Sequence, residues 1–194
     1  MQWEVLDFVE FCRSVPKHGL VVASSGNASC RCGDESNRFM ITRSGLWLEN
    51  MTEDDVAFIQ DNETSNNPSM ELPVHLAIYN RRPEAKVILH FQSLAATAIA
   101  CIRIMNIPFC IIPEIKYYFN KITSIGYAKP GSINLINLMT VAFKEADIVL
   151  ADNHGQFVIG ESFEHVLRRA IFFEFACNLL LKIGVDNWSK VKTI

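Results

Sequence analysis

What is missing narrows this sequence first. It has no apolar run of the length a bilayer span takes, about 20 residues. The uncharged stretch from Val87 to Ile102 is broken by His90, Gln92, Ser93 and Thr97. It has no long basic run and a formal net charge of -3, so neither nucleic acid nor a membrane is expected as a partner. The amino terminus, from Met1 to Asp7, has no basic start before an apolar stretch, so it does not read as a secretory signal and a cytoplasmic location is expected. Six cysteines are present, but Cys30-Arg31-Cys32 lacks the two-residue spacer of zinc or redox pairs. Reduced thiols with no shared task are expected. There is no internal repeat, low-complexity tract or long linker.

What remains is a chain that is 49% hydrophobic and 20% charged, ample for one packed domain over residues 1–194. The periodicity predicts an amphipathic helix over 1–15, a short strand from Leu20 to Ala23 and a turn at Ser24-Ser25-Gly26-Asn27. Ala28 to Arg31 and Arg38 to Thr42 read as strands joined by a polar loop, Gly33 to Asn37. Thr52 and Asp55 resemble a capping box before a strand from Val56 to Gln60. Asp61 to Pro68 reads as an exposed loop. Ser69 to Arg82 reads as a helix stopped by Pro83. Val87 to His90 reads as a strand and Ser93 to Arg103 as a helix. The stretch 108–130 looks irregular. Ser132 and Ser162 are placed to cap two further helices, running to about Lys144 and to Gly184. Between them lie strands at Asp147 to Ala151 and Gln156 to Ile159. Arg168-Arg169 reads as a solvated or interface face. Helices mixed with strand hairpins argue for α/β layers with a partly antiparallel sheet.

Chemistry concentrates around His90-Phe91-Gln92. On a strand, residues i and i+2 share a face, so His90 and Gln92 would aim at one point, like a His-x-His metal motif with its second imidazole replaced. Alone, His90 reads as a structural histidine. Glu71 alone reads as a first-turn helix acid. Asn27 alone is a turn residue.

Five segments, in order, change that reading: Ser25-Gly26-Asn27-Ala28-Ser29, Ile41-Thr42-Arg43-Ser44-Gly45, Pro68-Ser69-Met70-Glu71, Leu89-His90-Phe91-Gln92-Ser93 and Asn153-His154-Gly155. Together the chain, from about residue 18 to 182, resembles the class II aldolase/adducin family, whose members include L-fuculose-1-phosphate aldolase. The resemblance implies a three-layer α/β/α fold with a mixed, mostly antiparallel central sheet. It maps metal ligands to His90, Gln92 and His154, the catalytic base to Glu71, and phosphate contacts to Asn27, Ser44, Gly45 and Ser69. It implies a divalent metal, usually zinc, and a homo-oligomer, commonly a tetramer. The implied activity is metal-dependent aldehyde-lyase cleavage of a sugar phosphate to dihydroxyacetone phosphate and an aldehyde. An epimerase, a decarboxylase or a non-catalytic adducin-like interaction protein are the alternatives.

The residue types fit those tasks independently. A divalent ion polarises a ketone and stabilises the charge left when the carbon–carbon bond breaks. A carboxylate moves the proton, and small turns with free N–H groups and hydroxyls suit a phosphate. Two departures stand out. Gln92 replaces an imidazole, and an amide oxygen favours a harder ion such as manganese or magnesium. Met70 stands where many members carry a second serine, and Arg43 is placed to offset it by pairing with an anion. His75, one turn after Glu71, reads as a partner for that carboxylate or as a buried hydrogen-bonded histidine. Tyr117 and Tyr118 lie near where some aldolases of the family draw a tyrosine proton donor. The chain stops soon after Trp188, without the tail that covers the site in some members.

Overall fold

Residues 3–33, 38–61, 63–102 and 106–194 are described by a computed structural model. The expectations for the first two residues, for 34–37 of the polar hairpin loop, for Asn62 and for Arg103 lie outside these.

Eight strands form one sheet: β1 (Asn27–Arg31), β2 (Arg38–Thr42), β3 (Val56–Gln60), β4 (Glu63–Thr64), β5 (Val87–Phe91), β6 (Ile122–Ile125), β7 (Ile148–Ala151) and β8 (Gly155–Gly160). Their order is β4-β3-β2-β1-β5-β8-β7-β6. All pairs are antiparallel except β6 with β7, so the sheet is mixed and mostly antiparallel, as expected. The helices are α1 (Val5–Ser14), α2 (Leu72–Arg81), α3 (Leu94–Ala100), α4 (Pro113–Tyr118), α5 (Ile133–Ala142) and α6 (Phe163–Ile183).

Strand alternation divides the buried side chains between two cores. On one face Met40, Val87, Leu89, Phe91, Leu150 and Val158 pack with α1, α3 and α6. On the other Ile41, Ile88, Val149, Phe157 and Ile159 pack with Val74 and Ile78 of α2 and Leu135 and Met139 of α5. This makes three layers. β5 is buried along its whole length because both faces are covered.

Local chemistry sets most boundaries. The Ser132 and Ser162 hydroxyls accept the N–H groups of Leu135 (3.2 Å) and His165 (3.1 Å), capping α5 and α6 as expected. The Asp55 carboxylate accepts from the Thr52 N–H and hydroxyl, closing the capping-box turn. Glu174 of α6 caps α3: its carboxylate accepts the N–H groups of Ala95 and Ala96 at 2.8 and 2.9 Å.

Four expectations are corrected. Leu20 to Ala23 is not a strand, since Ala23 turns the chain at φ 53 and the Leu20 carbonyl accepts from Gln92 rather than from a strand partner. The helix expected from Ser69 begins at Leu72, after a turn closed by the Leu72 N–H on the Ser69 carbonyl. The stretch 108–130 holds α4 and β6. Arg169 is buried, paired with Asp147 at 3.3 Å and donating to the carbonyls of Tyr118 and Ile159, whereas Arg168 stays exposed over the Tyr118 ring. All six cysteines are free thiols. Among the described residues no helix is long and apolar enough to cross a membrane.

Candidate metal centre and cleft

Glu71 is the residue before α2, not a first-turn acid, and its carboxylate does not cap the helix. It turns inward instead. Its Oε2 accepts from Asn27 Nδ2 at 3.0 Å. His90 Nε2 lies 3.4 Å from Oε2 and His154 Nε2 3.3 Å from Oε1. All three residues are buried, and their ligand-type atoms lie within 4.8 Å of one another.

The sheet explains the meeting. Asn27 on β1 is the register partner of His90 on β5, and Phe157 on β8 is the partner on the other side. His90 stacks on Phe157 at 4.1 Å between ring centroids. Its Nδ1 lies 3.0 Å from the Gln156 carbonyl. A carbonyl only accepts, so Nδ1 carries the proton and the lone pair of a neutral His90 sits on Nε2, towards Glu71. His154 comes from the β7–β8 turn, where Asn153 adopts φ 53. Gly155 completes that turn because a Cβ there would lie 2.9 Å from His90 Cε1.

Burial works against charge on Glu71, but His90, His154 and Asn27 outweigh it and hold the carboxyl at about 2. Burial pushes His90 below the ordinary imidazole range. The His90 and His154 Nε2 atoms thus face the two oxygens of one buried carboxylate, and cationic charge at this centre, on an imidazole or on an ion, is what keeps it ionised. Glu71 Oε1 is buried with no hydrogen-bond partner. Imidazole nitrogens and a carboxylate oxygen are a donor set that suits a divalent ion, in the protonation states such an ion requires.

The centre lines a cleft of about 330 Å³. All eight residues to which the resemblance maps a metal, base or phosphate role line it: Asn27, Ser44, Gly45, Ser69, Glu71, His90, Gln92 and His154. The two turns that carry Ser44 and Ser69 are laced together, with Ser69 N–H on the Thr42 carbonyl (3.0 Å) and Ser44 N–H on the Asn67 carbonyl (3.1 Å). Gly26 supplies φ +132 where a Cβ would meet the His90 carbonyl at 3.0 Å. Arg43 lines the cleft and pairs with Asp55 at 3.3 Å; Met70 lines it and is largely exposed. A hollow of about 380 Å³ beside Phe109 and Phe119 has no acid or imidazole in its lining.

Other expectations fall differently. Gln92 lies one residue past the end of β5, so strand alternation does not place it. Tyr117 and Tyr118 do not line the cleft; Tyr118 stacks on Phe172. Phe157 and Gln156, which support His90 from behind, were not singled out from the sequence. Only the strand register reveals them.

His75 is fully buried, with Nδ1 2.7 Å from Ser29 Oγ, which also meets the Tyr79 hydroxyl at 2.9 Å. Burial pushes its imidazole down to about 3, against an ordinary 6.5. The unfolded chain therefore binds a proton below about pH 6.5 that the folded chain refuses, and stability falls as pH drops through that window. Urea denaturation at pH 5 is expected to give a stability on the order of 2 kcal/mol below that at pH 7.5. The loss should shrink in His75→Asn. A wild-type stability that stays flat over this range contradicts the buried neutral imidazole.

The sequence matches the family described as Class II Aldolase and Adducin N-terminal domain over residues 6–181. It is 31% identical to an L-fuculose phosphate aldolase of Methanocaldococcus jannaschii over 79% of this chain and 82% of that protein. It is also 31% identical to a 3-oxo-tetronate 4-phosphate decarboxylase of Haemophilus influenzae, over 78% of this chain and 74% of that protein. A solved L-fuculose 1-phosphate aldolase superposes with a TM-score of 0.85 at 19% identity, covering 100% of this chain and 92% of that one.

Proposed function

The chain belongs to the class II aldolase and adducin family and is an enzyme of its aldolase class, and we propose that it cleaves a phosphorylated ketose reversibly into dihydroxyacetone phosphate and an aldehyde. The observation that carries this reading is the Glu71 carboxylate set between two imidazoles in a cleft that small polar turns also line.

His90 and His154 would hold a divalent ion with Glu71 beside it, zinc by family resemblance, with manganese or magnesium as the alternatives. When bound, the ion polarises the ketone and stabilises the negative charge that carbon–carbon cleavage leaves behind. The rest is the work of the chain. Asn27, the Ser44 and Ser69 hydroxyls and the turn at Gly45 seat the phosphate, the Ser44 and Ser69 N–H groups being taken by the Asn67 and Thr42 carbonyls. Asn27 also holds the Glu71 carboxylate in place at 3.0 Å. Glu71, ionised at neutral pH, accepts and returns the proton. The residue behind His90 fixes its tautomer. By family resemblance we propose that the chain assembles into a homo-oligomer, a tetramer.

The second reading is decarboxylation of a 3-oxo acid phosphate on the same residues, favoured by the decarboxylase relative. The non-catalytic reading gives way to the enzyme class. Metal-loaded protein offered a panel of ketose 1-phosphates should release dihydroxyacetone phosphate. Carbon dioxide from a 3-oxo acid phosphate, with no turnover of the ketoses, selects the second reading. No turnover of either set overturns both.

A further inference from the structure

Gln92 stands where the His-x-His pattern places an imidazole, and its surroundings give it a different task. β5 ends at Phe91, whose register partner on β8 is Gln156. The Gln92 main-chain N–H then leaves the ladder and donates to the Leu20 carbonyl at 3.0 Å. The His154 carbonyl, across from it, is met by the side chain instead: Gln92 Nε2 donates to it at 2.7 Å. Only the nitrogen end of an amide can donate, so the carbonyl fixes which way the amide faces. The opposite strand is built around this contact. A Cβ at Gly155 would lie 2.8 Å from Gln92 Cγ.

The contact matters because of where His154 sits. Its imidazole must reach within 3.3 Å of Glu71 Oε1 from a turn rather than from a strand. A turn has fewer ladder bonds to hold it, and a hydrogen bond at the His154 carbonyl restrains the residue that carries the ring.

We propose that Gln92 is a positioning residue: its amide N–H fixes the His154 turn, and the divalent ion is held by His90, His154 and Glu71 without an oxygen from Gln92. This rests on the metal-centre reading. The side chain replaces the missing ladder bond.

Two substitutions separate positioning from ligation, read by cobalt(II) titration calorimetry and cobalt(II) visible absorption. In Gln92→Glu the residue keeps an oxygen and gains charge but loses its donor. Ligation predicts tighter cobalt binding; positioning predicts binding weaker by roughly 10–100-fold, because a carboxylate then faces the His154 carbonyl. In Gln92→Met, positioning predicts weaker binding with an unchanged cobalt spectrum, whereas a shifted spectrum reports a lost ligand and overturns the proposal. Melting of the metal-free proteins checks that each variant folds, and the methionine variant decides alone should the glutamate variant not fold. Wild-type protein that binds no cobalt overturns the metal-centre reading and this role with it. Wild-type binding with a tighter Gln92→Glu overturns the role alone.

Discussion

His90→Ala is expected to purify without its divalent ion and to lose on the order of 10³-fold or more in kcat/KM, since the ion contributes several kcal/mol to the transition state. The expectation follows from how completely the fold commits this side chain. The ring is 3% exposed, stacked on Phe157, and bonded through Nδ1 to the Gln156 carbonyl, which leaves Nε2 for the centre. The register partner across the strand is Asn27, whose Nδ2 holds the Glu71 carboxylate, and it carries no imidazole to take the place of His90. Elemental analysis of protein expressed with added zinc or manganese measures metal per chain beside turnover. An alanine variant that keeps one ion per chain removes His90 from the ligand set. His90→Asn, which fills more of the space, separates metal loss from a packing defect, since both variants should lose metal while their melting temperatures differ.

How much of this was legible beforehand depended on whether the determining contact was local. β2 and β3 came out with their expected bounds because alternation and turn residues mark both ends. The serine caps of α5 and α6 act three residues away and read directly. Arg169 was misread because its burial depends on Asp147, which another element supplies. β6 was missed because Ile122-Thr123-Ser124-Ile125 is only half buried and is held by parallel pairing with β7, which no local pattern announces. The site divides in the same way. The ordered motifs contain most of the residues that line the cleft, Ser24 and Pro130 excepted. They did not reveal that Glu71 bridges the two imidazoles, that Phe157 and Gln156 support His90, or that Gln92 bonds the His154 carbonyl. Each of these is a relation between strands.

Glu71→Gln is expected to lower kcat by roughly 10²–10⁴-fold, the range for a positioned proton-transfer group, with a smaller change in KM because Ser44, Gly45 and Ser69 do not bond Glu71 Oε2 and only Asn27 does. The substitution is nearly isosteric but inverts the chemistry of one atom. In the wild type Oε2 accepts from Asn27, and each carboxylate oxygen faces an imidazole Nε2 at 3.3 to 3.4 Å. An amide nitrogen in place of either oxygen would meet the Asn27 donor, or a lone pair meant for an ion. It also has no proton-accepting capacity near neutral pH. The depressed carboxyl, at about 2, keeps wild-type Glu71 ionised throughout the working range, so its deprotonated form should not limit the rate between pH 5 and 8. Proton transfer can be isolated from bond cleavage by incubating metal-loaded protein with dihydroxyacetone phosphate alone in deuterated water. Exchange of the carbon-bound hydrogen needs the base but no aldehyde. The glutamine variant should lose exchange by the same factor as turnover, and Glu71→Asp, a base set back by one methylene, should lie between. Exchange at the wild-type rate in Glu71→Gln would assign the proton to another group and leave Glu71 only its place beside the ion.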